Sequence, residues 1–151
     1  MEYKIQYNTI LQKRYEGGSV DMKDYNSEDY SDYRIQKAKE TIQEVEKHIQ
    51  NEFWNTAINR MYYACFYAVS ALLVKNGIET SSHKGIRQLF GQMFVRTGKF
   101  NKNLAKHYTD LFEKRHKGDY NDFFDFDKDT VNRLLPISKE FIEKIEELIH
   151  K

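Results

Sequence analysis

Cysteine occurs once in 151 residues, as Cys65 inside an apolar run. That excludes a disulfide framework and a cysteine-based metal cluster, and a reducing, cytoplasmic setting is expected. Proline also occurs once and glycine seven times, too few to break the chain into short pieces, so long helices are expected. The longest apolar stretch, Met61 to Val74, is too short for a bilayer span and is interrupted by Tyr. The start of the chain lacks the basic and then apolar layout of a secretory leader, and no membrane association is expected. His48, His83, His107, His116 and His150 never fall four residues apart, and H-E-x-x-H does not occur, so neither a metal nor any other cofactor is expected. Net charge is small, +1, with 40% hydrophobic residues, a balance ordinary for one globular domain.

What is present is helical periodicity. Ile35, Ala38, Ile42, Val45 and Ile49 recur at steps of three and four, the seam of an amphipathic helix over about 29–50. A second helix begins near 53, is apolar on nearly every side, and stops at Gly77, which supplies a left-handed C-terminal residue. Ser81 or Ser82 can cap a third helix running to about Arg96, with Ile86, Leu89, Phe90 and Met93 facing inward. A fourth over about 101–117 turns Leu104, Tyr108, Leu111 and Phe112 inward. A fifth starts near Asp127 and carries Val131, Leu134, Leu135, Ile137, Phe141, Ile145 and Leu148, with a kink expected at Pro136. Short connections favour antiparallel neighbours, so the fold class is all-α: an up-and-down bundle of four to five helices, the second central. Residues 1–26 alternate like a lone strand and are expected to form an extended or poorly ordered arm outside the bundle domain of 27–151.

Within the second helix, "NRMYYACFYAVSALL", Arg60, Tyr63, Tyr67 and Ser70 share one stripe opposite the apolar Ile58, Met61, Cys65, Ala68 and Leu72. A guanidinium there needs a carboxylate or an anion, because burying an unpaired charge is costly. The stripe is expected to face a cleft shared with the third and fourth helices. "SSHKGIR", residues 81–87, places His83, Lys84 and Arg87 in the first turns of a helix, where free N–H groups already favour phosphate; it lacks the glycine spacing of a P-loop. Cations dominate between His83 and Lys117. "EKRHKGDYNDFFDFDKD", residues 113–129, passes from a basic helix end to an acidic loop, as helix dipoles alone would favour. Its Asp125, Asp127 and Asp129 are not a calcium loop, since Thr130 and Pro136 stand where that loop needs Gly and Glu. "GGSVDMKDY", residues 17–25, is too tightly spaced for a nucleotidyltransferase signature. Cys65 has no cation at helical spacing to activate it.

Taken together, "W..AINRMYYACFYAVSALL", "SHKGIRQLFG..F" and "LFEKRHKGDYNDF" resemble the HEPN family, the higher eukaryotes and prokaryotes nucleotide-binding domain, in its small stand-alone bacterial form, over about residues 28–149. The resemblance implies a helical bundle that dimerises and acts beside a separately encoded minimal nucleotidyltransferase in toxin–antitoxin or nucleotide-transfer modules. In many branches it also implies metal-independent RNA cleavage by an Arg and a later His with four to six residues between them. Here Tyr120, Asn121 and Asp122 fill those places after Arg115, and Tyr is a poor general base at neutral pH. The expectation is therefore a non-catalytic module binding a nucleotide or RNA phosphate. Asn59, Arg60, Tyr63, His83, Lys84, Arg87 and Arg115 would form the site, with Asp119 orienting Arg115 and Tyr120 available for stacking. The alternative is an endoribonuclease toxin with an atypical site using His116 or His83.

Overall fold

A computed structural model of the protein describes residues 27–151 apart from 79, 81, 122 and 123; the expected N-terminal arm lies outside the described residues. Among the described residues five α-helices follow in order: α1 Ser27–Gln50, α2 Trp54–Lys75, α3 His83–Phe90, α4 Lys102–Tyr120 and α5 Lys128–Ile149. No strand occurs among the described residues.

Each boundary has a local cause. Ser82 caps α3 by accepting from Gly85 N, Asn101 caps α4 by accepting from Leu104 N, and Asp127 caps α5 by accepting from Thr130 N. Each thus satisfies one of the donors that a helix start leaves free. Gly77 and Gly98 have φ of 72° and 77° and turn the chain where side chains would be strained. Pro136 lies inside an uninterrupted α5.

α2 packs against α1 most extensively, and also against α5, α4 and α3. Ala57, Ile58, Met61, Tyr62, Ala64, Cys65, Ala68 and Val69 have no exposed surface, so the helix that is apolar all round is the one the others cover. The α1 seam meets it through Ile35, Ala38, Ile42 and Val45, all buried, and Ser31 Oγ donates to the Ala71 carbonyl at 2.8 Å.

Two expectations about which way a side chain faces change. α3 passes into a π-helical turn, Gly91–Val95, closed by Arg96 N donating to the Gly91 carbonyl at 2.9 Å. A π turn holds one residue more than an α turn and so rotates everything after it. Phe94 is therefore buried, at 5% exposure, while Met93 faces outward at 40%. Ser70, placed on the polar stripe of α2, is also buried, with a hydroxyl that lacks a hydrogen-bond partner. The stripe ends in the core after Tyr67.

Candidate functional site

α2 and α4 run antiparallel, and their polar residues cross-link turn by turn. Asn59 donates to Asp119 at 3.1 Å. One turn further along α2 and one turn back along α4, Arg115 Nη1 donates to the Tyr63 hydroxyl at 3.1 Å. At the other end of this ladder Asn55 donates to the Phe124 carbonyl and accepts from Phe126 N. Helical spacing of four places these residues in register, since i and i+4 share one face.

The start of α3 closes over this ladder. Ser82 and Thr80 hydroxyls would lie 2.6 Å from a Cβ on residue 85, so a larger residue there would have to displace the hydroxyl that caps the turn. The turn delivers His83 onto the aromatic face of α2. Its ring stacks on Phe66 at 4.2 Å and 9°, meets Tyr63 edge-on at 5.9 Å, and has Nδ1 2.7 Å from the Tyr62 hydroxyl. Burial, and then the nearby Arg115 charge, lower the His83 pKa, so the imidazole is neutral at pH 7.

Arg115 is held by rings rather than acids. Its guanidinium carbon lies 4.8 Å from the Tyr62 ring centre, 5.5 Å from that of Tyr63 and 5.8 Å from that of Phe112. Its Nε is buried without a hydrogen-bond partner. Arg87 lies over the same Phe112 ring, 4.1 Å from its centre. Among the described residues, neither arginine has a carboxylate within ion-pair distance. Two guanidiniums sharing one aromatic ring without a counter-charge form a local positive field, and the low-dielectric ring walls strengthen it.

The sequence-derived candidates therefore divide. Tyr63, His83, Arg87 and Arg115 come together, with Asn59 and Asp119 one turn away. Asp119 accepts from Asn59 and makes no ion pair with Arg115 among the described residues, which corrects its expected orienting role. Arg60, expected to meet either a carboxylate or an anion, takes the carboxylate. It borders the Tyr63 ring at 5.7 Å, but its Nε pairs at 3.7 Å with Glu44 of α1, so its charge is directed to α1 and not into the α3–α4 side. Lys84 is exposed. Tyr120 is 72% exposed and its ring sits 4.7 Å from that of His116. Sequence reasoning passed over Tyr62, Phe66 and Phe112, which build the walls. Their helical positions coincide with the apolar stripes, so their only signal was an excess of aromatic over aliphatic residues where α2 meets His83.

The remaining candidates are accounted for structurally. Asp127 caps α5, and Asp125 accepts from Asn55. Cys65 has no exposed surface, and burial pushes its thiol pKa up, which leaves it unreactive.

A family model described as the HEPN domain matches residues 31–148. A "UPF0332 protein" of Thermotoga maritima is 39% identical over 118 residues, covering 78% of this chain and 89% of its own length. A protein of Methanocaldococcus jannaschii whose name reads "Putative toxin" is 28% identical over 110 residues, covering 73% of this chain and 75% of its own. A "UPF0332 protein" of Archaeoglobus fulgidus is 24% identical over 123 residues, covering 82% and 98% respectively. With 118 consecutive residues inside the family match, carrying both the ladder of α2 on α4 and the capped turn of α3, the chain belongs to the HEPN family.

Proposed function

We propose that this chain is a non-catalytic HEPN module that binds the phosphate of a nucleotide or RNA and works in a toxin–antitoxin or nucleotide-transfer system beside a separately encoded minimal nucleotidyltransferase. One observation carries the phosphate reading: Arg115 is wedged among three aromatic rings with its Nε unpartnered, next to Arg87, and no carboxylate among the described residues neutralises either. Exposed arginines can satisfy themselves with water, whereas a guanidinium held by rings keeps its unused donors aimed at whatever anion reaches it. His83 adds an uncharged ring nitrogen to the same cluster. The toxin name of one relative supports the system assigned here, while the nucleotidyltransferase partner and a homodimeric state follow from the family resemblance.

The decisive experiment pairs two measurements. Calorimetric titration with a single-stranded 2′-deoxy oligonucleotide and with a mononucleotide should show binding that weakens as salt rises, the signature of phosphate neutralisation. Incubation with structured and single-stranded RNA in chelator should leave the RNA intact.

A second reading, a metal-independent endoribonuclease, is favoured by one feature: His83 contacts the Tyr63 ring that also holds Arg115. A histidine base and an arginine on the phosphate are the minimum for attack by a ribose 2′-hydroxyl. It predicts 2′,3′-cyclic phosphate ends in the same incubation. Co-purification with the product of a neighbouring nucleotidyltransferase gene, and sedimentation of the isolated chain, test the partner and the dimer.

A further inference from the structure

Tyr62 lies beneath the cluster with no exposed surface. Its ring is nearly parallel to that of Tyr108, at 5.9 Å and 8°, and edge-on to Phe112. Its hydroxyl is 2.7 Å from His83 Nδ1. One proton lies between those two atoms, and two directions are open to it. If Nδ1 held the proton, Tyr62 would have to turn its own hydrogen away from His83, its one hydrogen-bond partner among the described residues. The nearby Tyr108 hydroxyl is buried and makes no hydrogen bond among the described residues. The Tyr62 hydrogen would then be stranded in an apolar core, which costs free energy. If Tyr62 donates to Nδ1 instead, its one hydrogen is used and only oxygen lone pairs are left towards the core. Burial also pushes the Tyr62 pKa up to about 12, so the proton stays on the phenol throughout the physiological range.

We infer that Tyr62 is a positioning residue: its hydroxyl donates to Nδ1 of His83 and holds the imidazole in the neutral tautomer that carries its proton on Nε2. The Phe66 stack at 4.2 Å fixes the ring plane, so exchanging the two nitrogens by a ring flip would break that bond. The titratable and charged groups facing His83 among the described residues are Tyr62 and Tyr63 from α2, Arg115 from α4 and, on its own helix, Lys84 and Arg87. No carboxylate among them favours the imidazolium. This deepens the phosphate-binding reading and rests on it for its consequence: Nε2–H is an uncharged donor for a phosphate oxygen beside Arg115. The same proton removes the lone pair that a general base needs, so the device separates binding from cleavage.

Long-range proton–nitrogen correlation spectra of the ligand-free protein read the tautomer directly. Wild type is expected to show His83 protonated on Nε2 alone, and Tyr62→Phe, which removes one oxygen and keeps the ring, a mixture of both tautomers. A wild-type spectrum with the proton on Nδ1, or a folded Tyr62→Phe with an unchanged His83 pattern, overturns the assignment whether or not any ligand binds. Should Tyr62→Phe fail to fold, the wild-type spectrum still decides. The consequence is tested with a 2′-deoxy dinucleotide phosphodiester, whose charge is constant near neutral pH. His83→Gln keeps an uncharged N–H near the position of Nε2 and should hold affinity within about threefold, whereas His83→Leu should lose roughly 2- to 10-fold, the worth of one hydrogen bond. Equal loss in both overturns the donor role. Absence of binding by wild type refutes the phosphate reading and leaves the tautomer standing.

Discussion

Replacing Arg115 by Met separates a ligand-binding arginine from a structural one, because the two roles predict opposite balances of stability and affinity. The substitution removes a charged hydrogen bond to the Tyr63 hydroxyl at 3.1 Å, which is worth about 1.5–3 kcal/mol. It also removes the guanidinium from the Tyr62, Tyr63 and Phe112 rings, roughly 0.5–2 kcal/mol. Against these stands the relief of a buried, unpartnered Nε, about 1–3 kcal/mol, together with the desolvated charge that no carboxylate among the described residues offsets. The methionine thioether can rest on the same rings. Gains and losses nearly cancel, so urea denaturation of Arg115→Met should place the unfolding free energy within about 1 kcal/mol of wild type. Phosphodiester affinity should fall much further, by roughly 10- to 100-fold for one lost charged donor. A variant destabilised by more than about 3 kcal/mol that still binds the oligonucleotide as wild type does would refute the reasoning, since Arg115 would then be stabilising the bundle and not waiting for an anion.

Arg60→Met should behave differently from both extremes: its partly exposed pair with Glu44 at 3.7 Å predicts a stability change below about 1 kcal/mol and unaltered nucleotide binding, and a tenfold loss of affinity by titration would return Arg60 to the site. His107 is buried with Nε2 2.8 Å from Ser138 Oγ, and burial pushes its pKa down to about 4. The unfolded chain, with an ordinary histidine pKa near 6.5, therefore binds the extra proton first, so stability is complete above about pH 6.5 and falls as pH drops towards 4, by roughly 3 kcal/mol in all. Urea midpoints measured from pH 7 to 4.5 should decline in wild type and more shallowly in His107→Gln; parallel declines would remove His107 from the account. The π turn makes a third contrast: Phe94→Ala should cost about 3 kcal/mol or more, while Met93→Ala should stay within about 0.5 kcal/mol, and a reversed order in thermal melts would mean that α3 continues as a regular α-helix.

The helices were legible in the sequence because their signals are local. Ile35, Ala38, Ile42 and Val45 mark a seam at helical spacing, Gly77 and Gly98 mark stops, and Asp127 marks a start; each acts within one or two turns of its own position. The centrality of α2 followed too, since a helix apolar all round can only be stable when covered. Four of the nine candidate site residues, Tyr63, His83, Arg87 and Arg115, were recognisable by type and lie together in space.

The partners of each charge belonged to the tertiary structure alone. Arg60 and Arg115 look alike in sequence, yet among the described residues one finds Glu44 on α1 and the other finds aromatic rings and a phenol hydroxyl, because the rotation of α2 between α1 and α4 decides which side chains meet. The outward turn of Met93 depended on a single wide turn that periodicity cannot register. The bond between Tyr62 and His83 joins residues 21 positions apart, and a contact of that span depends on how α3 docks on α2, which is a property of the assembled bundle and not of either segment.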